Sequence, residues 1–269
     1  PIIAAGPASL VGMVNTDIVI HSKATGAVIA KADLDNNPSG TGGVTGGFWN
    51  TSNVAFDPWV MYDPDSERFF AMAVDRSSAA GGSSRVYLAV STDSTPTNLT
   101  TDWNKYVFDR TGTHQGSGVN TFPDYPKMGV DDDAIYITGN DFGINGGGFS
   151  HVSLFAIEKA PLLSGGPANI VYDEVITSAF SVHPVVNYDP GAPMRFAEAV
   201  GSTGIRLHTL ENVLTAPTRT TRIVGVPTFF FPPYVPQQGG PPLDSVSQRI
   251  MSGVVRDGDR AVSSAADAA

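Results

Sequence analysis

The sequence predicts an all-β protein, a β-propeller built from four-stranded antiparallel blades, and three observations support this. A short phrase, Pro-x-Val/Met-x-Tyr/Val-Asp, occurs three times, starting at Pro58, Pro126 and Pro184. The copies lie roughly 60 residues apart, which is enough chain for one four-stranded unit with its loops. Between them, β-branched and aromatic runs of period two alternate with Gly, Asn, Asp, Ser and Pro clusters, the pattern of short strands and turns.

The three full units each contain four strand signals in sequence. The first spans about residues 55–110, and its predicted strands are Val60–Tyr62, Arg68–Val74, Arg85–Val90 and Trp103–Phe108. The second and third units, about 120–178 and 180–226, repeat this order. In each unit the repeated phrase supplies the first strand: its proline begins the strand where no ladder N–H is needed, and its aspartate accepts turn N–H groups.

The two ends of the chain are less regular than the middle. Partial blades are predicted at 8–50 and 243–262, with a Pro-rich connection at 227–242 and one short helix candidate at Glu158–Leu163. We expect a single propeller domain over residues 1–269. Either residues 10–34 complete the blade that begins at Arg249, or the chain is the front part of a larger ring, which the abrupt tail favours. The first residue, Pro1, fits both a cleaved leader and a fragment of a longer chain.

Composition excludes several classes of function. The net charge of −10 provides no basic surface for nucleic acid, so no nucleic-acid partner is expected. The absence of cysteine excludes disulfides and thiolate metal sites. No apolar run approaches the roughly 18 residues of a membrane span, so none is expected.

One loop carries a family motif. Ser91-Thr92-Asp93-Ser94-Thr95-Pro96-Thr97 resembles the Asp-box of sialidase-like propellers, with Thr95 in place of the glycine and the tryptophan displaced to Trp103. In this motif the Asp carboxylate accepts turn N–H groups, so we expect it to fold a hairpin rather than to catalyse.

A wider resemblance covers nearly the whole chain. Val11–Ile18, Lys23–Gly26, Asp57-Pro58 with Tyr62-Asp63, Asp124–Asp131 and Gln248–Gly258 are similar to segments of exported bacterial β-propeller proteins. The resemblance implies a secreted, cell-surface or periplasmic bacterial protein and brings no defined activity with it.

The sequence supports an enzyme less well than a binding module. The Arg-Ile-Pro signature of catalytic sialidases is absent, and a glycosidase needs two carboxylates flanking the scissile bond. Under the alternative reading, a sialidase-like glycoside hydrolase, the candidate catalytic residues are Asp57, Asp124 and Glu198. The main reading is a non-catalytic exported propeller that binds or assembles through its loops, with carbohydrate or the subunits of a larger assembly as partners.

Three groups of residues are candidates for binding. The residues just before the repeated prolines are expected near the mouth of the central channel, as a polar ligand surface or as caps of strand ends: Asp57, Tyr125 and His183. An aromatic strip within the Pro-rich connection is expected to dock on a partner: Phe229, Phe230, Phe231 and Tyr234. No cofactor is expected apart from a structural calcium ion, for which hard oxygen ligands are available in one loop-strand-loop unit, unless this is simply a solvated acidic turn: Asp131, Asp132, Asp133, Asn140 and Asp141.

Overall fold

The computed structural model describes residues 1–37, 46–77, 82–111, 120–187, 189–230, 233–242, 250, 252–256 and 260–264. These residues form five β-sheets and a single short helix. Four of the sheets have four antiparallel strands, which confirms the predicted propeller blades.

The first two blades follow one another along the chain. The first contains β1 (Ile2–Ala5), β2 (Ser9–Met13), β3 (Asp17–Ser22) and β4 (Val28–Asp33) in that order across the sheet. The second contains β5 (Ala55–Asp63), β6 (Arg68–Ser77), β7 (Ser83–Ser91) and β8 (Trp103–Asp109). The first blade is therefore fuller than the sequence predicts, because β1 precedes the expected start and the blade needs no strand from the far end.

The third and fourth blades keep the same plan. The third contains β9 (Thr121–Val130), β10 (Ala134–Gly143), β11 (Phe149–Glu158) and β12 (Ile170–Ile176), with α1 (Lys159–Leu163) between the last two strands, where a helix was predicted. The fourth begins at β13 (His183–Pro184), next to which β14 (Val186–Asn187) leaves the sheet, and continues with β15 (Met194–Val200), β16 (Gly204–Glu211) and β17 (Thr218–Gly225).

The fifth sheet is smaller and joins distant parts of the chain. It contains β14, β18 (Ser252–Arg256) and β19 (Arg260–Ser264). β14 pairs with β18 in parallel, with Val186 opposite Val254, whereas β18 and β19 are antiparallel. The third copy of the phrase is thus divided between two sheets. The expected start of a later repeat at Arg249 lies outside the described residues.

The strands that carry the repeated phrase lie innermost. β1 contacts β5, β5 contacts β9, and β9 contacts β13, so the first strands of successive blades surround a common axis. Apolar residues from facing blades fill the space between them, as in the edge-to-face contact of Tyr136 and Phe196, whose ring centroids are 5.7 Å apart. Outer strands are more exposed, and β17 has no buried residue.

The phrase folds as the sequence predicts at its aspartate. Asp63 accepts hydrogen bonds from the N–H groups of Asp65 and Ser66, at 3.2 and 3.3 Å. Asp131 does the same for Asp133 and Ala134, both at 3.0 Å. Each aspartate therefore closes the tight turn that leads to the second strand of its blade.

The prediction that the proline begins the strand was wrong for the first two copies: Pro58 and Pro126 lie inside β5 and β9, at a β-bulge. Asp57 and Pro58 together oppose a single residue of β6, since Phe56 pairs with Val74 and Trp59 with Met72. Tyr125 and Pro126 likewise lie opposite one residue of β10. A bulge leaves its extra residue out of the ladder and re-aims its side chain, so the residue before each of these prolines is freed from strand pairing.

Candidate functional site

Four side chains from the three phrases meet near the axis of the blades: Trp59, Tyr125, Lys127 and His183, here called the axial cluster. The Lys127 ammonium lies 3.3 Å from the centroid of the Tyr125 ring and 4.7 Å from that of Trp59. The His183 imidazole packs edge-on against the same Trp59, at 5.7 Å between centroids. The cluster therefore places a cation between two aromatic faces, with an imidazole beside one of them.

Burial governs the electrostatics of the axial cluster. Lys127 and His183 are only 7% and 3% exposed, whereas Trp59 and Tyr125 are half-buried. Burial, together with the nearby positive charge of Lys127, lowers the pKa of His183 to about 4. His183 is consequently neutral at pH 7. Its Nδ1 atom has no hydrogen-bond partner in the described part of the molecule.

A chain of hydrogen bonds runs from blade to blade through Asp57. Its backbone N–H donates to Asn15 Oδ1 of the first blade at 3.2 Å, and its Oδ2 accepts from the Tyr125 N–H of the third blade at 3.3 Å. Asp57 and Tyr125 have positive φ angles of 47° and 50°, as the bulge requires. The position of Asp57 is thus compatible with both roles considered for it, a cap of a strand end and a ligand-binding residue at the mouth of the central channel.

The third copy of the phrase differs at this point. Here the positive φ falls on Ser181, at 54°, and not on His183. Ser181 is tied to the third blade by two hydrogen bonds with Asn140: its N–H donates to Asn140 Oδ1 at 2.8 Å, and Asn140 Nδ2 donates to Ser181 Oγ at 2.9 Å. Instead of projecting like Asp57, His183 lies buried against Trp59.

The three acidic residues of the enzyme reading have different surroundings. Asp124 is half-buried opposite Asn140, directly before Tyr125. Glu198 is buried in β15, where Oε2 accepts the Phe180 N–H at 2.8 Å and Oε1 lies 2.5 Å from Arg206 Nη1 and 3.2 Å from His208 Nε2. Burial raises the pKa of Glu198, but the hydrogen bonds from His208 and the Phe180 N–H, with the charge of Arg206, outweigh it and hold the pKa below its ordinary value.

The residues expected to hold calcium lie at two ends of β10. Asp131 is occupied by its turn and by the Tyr136 hydroxyl at 2.7 Å, and Asp132 accepts the Gly191 N–H at 2.7 Å. Asn140 and Asp141 lie seven or more positions along the strand, roughly 20 Å away at about 3.3 Å per residue. The five residues do not form one site, and in the described ranges no group of three or more His, Asp or Glu side chains is arranged to hold a metal ion.

The aromatic strip after the fourth blade is largely open to solvent. Phe230 and Tyr234 are 79% and 59% exposed. Phe229 is half-buried, and its N–H donates to the Ser202 carbonyl at 2.9 Å. Phe231, the remaining member, lies outside the described residues.

Sequence reasoning missed two members of the axial cluster, Trp59 and Lys127. Both occupy the same position, directly after the repeated proline, and a comparison of the three copies there would have shown an aromatic, a cationic and an apolar residue. In the second copy, Tyr125 and Lys127, the residues on either side of Pro126, both take part in the cluster.

The fold and this cluster define a β-propeller with a polar and aromatic axial face. No family model and no curated protein matches the chain. Among solved structures, it is similar to an exo-β-1,3-galactanase from Phanerochaete chrysosporium bound to β-1,3-galactotriose, with 11% identity, 82% of this chain and 48% of that chain covered, and a TM-score of 0.40. The same enzyme with galactose gives 12% identity, coverages of 79% and 48%, and a TM-score of 0.36.

A third similar structure has a different activity. It is an apocarotenoid oxygenase from Synechocystis, with 10% identity, coverages of 81% and 47%, and a TM-score of 0.41. The chain spans about half the length of the structures it matches. Within the described residues, no helix is long and apolar enough to cross a membrane.

Proposed function

We propose that this propeller is a carbohydrate-binding module that takes its ligand at the axial cluster without cleaving it. The observation that carries the proposal is the Lys127 ammonium packed between the rings of Tyr125 and Trp59, with His183 against the same tryptophan. Binding sites for small molecules combine aromatic walls with a few fixed polar groups, and this cluster has both. Export to the cell surface is part of the proposal and rests on the sequence resemblance.

The charges of the cluster favour an acidic sugar. The protein as a whole carries a net charge of −10, so a negatively charged ligand is attracted only where a cation is fixed locally. Lys127 supplies such a cation, and its burial strengthens a charge-assisted hydrogen bond to a carboxylate. Lys127 covers one face of the Trp59 ring and one face of the Tyr125 ring, and the remaining exposed surface of these half-buried rings is where a pyranose ring would stack.

The hydrogen bonds of Glu198 and Asp57 support sugar binding rather than sugar hydrolysis. A glycosidase needs a proton-donating carboxylic acid with a raised pKa and a second carboxylate across the sugar. The pKa of Glu198 is lowered, and both of its oxygens already accept hydrogen bonds. Asp57 binds the backbone N–H of the neighbouring blade. Glu198 therefore lacks the environment of a general acid.

The binding proposal is tested by calorimetric titration with neutral and uronic-acid oligosaccharides. Lys127→Met and Trp59→Ala are expected to weaken binding of an acidic glycan at least tenfold, equivalent to about 1.4 kcal/mol. Lys105→Met is the matched control, because Lys105 also lies over an aromatic ring, 4.2 Å from the Phe48 centroid, but on the outer strand β8. An unchanged affinity in Lys127→Met, or no binding of any glycan, would contradict the proposal.

Turnover of a glycoside substrate would favour the alternative function, a sialidase-like glycoside hydrolase. A panel of aryl-glycosides and oligosaccharides, assayed for product, is expected to show none. Product formation that Glu198→Gln or Asp57→Asn abolishes would establish a glycosidase instead, provided that circular dichroism shows both variants folded.

The exposed aromatic strip supports assembly as a second candidate function. Phe230 and Tyr234 are large side chains open to solvent after the fourth blade, at 79% and 59% exposure. Paired exposed aromatics mark contact surfaces for other proteins. Mass photometry of the wild type and of Phe230→Ser with Tyr234→Ser tests this, and an identical mass distribution for both would count against assembly through the strip.

A further inference from the structure

A second cation lies against an aromatic ring farther along the innermost strands. The guanidinium carbon of Arg76 is 4.6 Å from the centroid of the Phe122 ring. Arg76 is exposed near the end of β6, whereas Phe122 is buried near the start of β9 in the next blade. The contact joins two blades and repeats the arrangement of Lys127 over Tyr125 in the axial cluster. A guanidinium stacked on a ring holds its planar N–H fork in position for a carboxylate.

Strand pairing places this contact on the same face of the third blade as the axial cluster. Lys127 and Phe122 lie opposite Thr138 and Phe142 of β10, which are four positions apart, so both point to one side of β9. At about 3.3 Å per residue, four positions correspond to roughly 13 Å along the strand. A single sugar unit bound at the axial cluster therefore does not reach Arg76, whereas a chain of several units does.

Two carboxylates lie between the two cations. Asp124 is half-buried and lies between Phe122 and Lys127 on the same face of the strand. Asp57 of the neighbouring blade is half-buried at the same level, where it accepts the Tyr125 N–H at 3.3 Å. Because like charges placed against each other oppose binding, a ligand that spans both cations is favoured when its negative charges lie at the two ends of this span and not between them.

A row of phenylalanine rings continues from Phe122 toward the outer strands of the third blade. Phe122, Phe142 and Phe149 lie opposite one another on β9, β10 and β11, with 6.4 and 5.7 Å between successive ring centroids. Phe149 is in turn 5.0 Å from Phe180, at the entry to the fourth blade, and each of these two rings is 38% exposed. The row offers apolar surface to the uncharged faces of sugar rings beyond Arg76.

We propose that the ligand of this propeller is a linear polysaccharide in which acidic and neutral sugars alternate, with Lys127 binding one acidic unit and Arg76 the next. This inference rests on the proposed function, because it extends the axial cluster into a longer site. The neutral unit between the two acidic ones lies over Asp57 and Asp124. Joining two weak contacts in one chain makes the second contact intramolecular, so a short oligomer binds more tightly than its acidic monomer.

The test compares ligand length and charge spacing by calorimetric titration of the full chain. The probes are glucuronic acid, a tetrasaccharide in which glucuronic acid alternates with N-acetylglucosamine, and tetragalacturonate, in which every unit is charged. The alternating tetrasaccharide is expected to bind at least tenfold more tightly than either of the others. Because Arg76 is exposed, this advantage is expected to shrink as NaCl rises from about 0.05 to about 0.5 M. Equal affinities for the three probes would overturn the inference.

Variants distinguish this inference from the proposed function. Arg76→Gln changes an exposed side chain and is expected to weaken binding of the alternating tetrasaccharide about tenfold, to the level of glucuronic acid, whereas Lys127→Met is expected to weaken binding of both. Arg222→Gln, on the outer strand β17, is the matched control for loss of an exposed arginine and is expected to change neither affinity.

Each failure has its own signature. Unchanged tetrasaccharide affinity in Arg76→Gln, with glucuronic acid still bound through Lys127, would refute the longer site alone. Unchanged glucuronic acid affinity in Lys127→Met, or no binding of any probe, would refute the proposed function and this inference with it.

Discussion

The ammonium group of Lys159 lies 3.2 Å from the carboxylate of Asp63, although 96 residues separate them. Lys159 also donates to the backbone carbonyl of Asp131. Asp63 and Asp131 end the first and second copies of the repeated phrase, so this one side chain binds the same position of two successive blades. Both partners of the ion pair are about 6% exposed.

We therefore expect Lys159→Met to lower the free energy of unfolding by about 3–5 kcal/mol, because the buried Asp63 carboxylate keeps the hydrogen bonds of its own turn but loses its opposite charge. Urea denaturation measures the change. The exposed pair Lys31–Asp17, at 3.0 Å with Lys31 60% exposed, is the control, and Lys31→Met is expected to cost less than about 1 kcal/mol. Equal losses in the two variants would show that Lys159 is not a connection between blades.

A second prediction concerns the glycine inside the second phrase. A Cβ atom on Gly129 would lie 2.6 Å from Pro184 Cβ of the third phrase and 2.6 Å from Met194 Cε. Gly129→Ala is expected to lower the free energy of unfolding by about 1–3 kcal/mol through overpacking between blades. Gly148→Ala, where a new Cβ meets nothing within 4 Å, is expected to be nearly neutral in the same urea experiment. A neutral Gly129→Ala would contradict the close approach of the two phrases.

The buried Glu198 is expected to make the free energy of unfolding depend on pH. Because its pKa is lower in the folded than in the unfolded chain, its contribution is present above the unfolded value of 4.5 and is lost as the pH falls through the folded pKa. Glu198→Gln is expected to cost about 2–3 kcal/mol at pH 7 and progressively less below pH 4.5. Urea titrations across this range test it, with the exposed Glu211→Gln as control. A loss that is constant with pH would refute the role of the charge.

His183 also predicts a loss of stability on acidification, which begins at a higher pH than the loss expected from Glu198. Since its folded pKa, about 4, lies below the unfolded value of 6.5, the unfolded chain takes up the proton first, and stability falls as the pH drops from 6.5 toward 4. The full loss amounts to about 3 kcal/mol, and His183→Gln is expected to remove it. NMR titration of the imidazole checks the pKa directly, and Lys127→Met is expected to raise it. An imidazole that titrates near 6.5 would contradict the burial of this residue.

The repeated phrase was sufficient to predict the blades because it encodes local chemistry. Its proline, alternating apolar residues and terminal aspartate act within one strand and one turn, and the hydrogen bonds of Asp63 and Asp131 confirm that role. The Asp-box-like turn behaves likewise, with the Thr95 N–H donating to Asp93 Oδ1 at 2.7 Å. The short helix candidate Glu158–Leu163 is also confirmed, as α1 over Lys159–Leu163.

The contacts between blades could not be predicted in this way. Arg110 binds Asp173 through two hydrogen bonds of 2.9 and 3.0 Å, yet nothing in the sequence around either residue indicates the other. The axial cluster was missed for the same reason, because Trp59 and Lys127 lie in different blades and come into contact only when the two blades pack together. The third copy of the phrase also depends on a distant strand. Its Val186 pairs with Val254 of β18, and no residue of the phrase indicates this pairing.

The β-bulge at the proline affects which substitutions the protein can accept during evolution. Because Asp57 and Tyr125 stand outside the strand ladder, an exchange of their side chains leaves the inter-strand hydrogen bonds intact. The second and third blades thus each carry one position at which a side chain can be exchanged, provided that the newcomer tolerates a positive φ and, at Asp57, still accepts the Tyr125 N–H. Substituting asparagine, aspartate, histidine or glycine at positions 57 and 125 is therefore the simplest way to alter the ligand of this propeller, and the strands themselves would need no change.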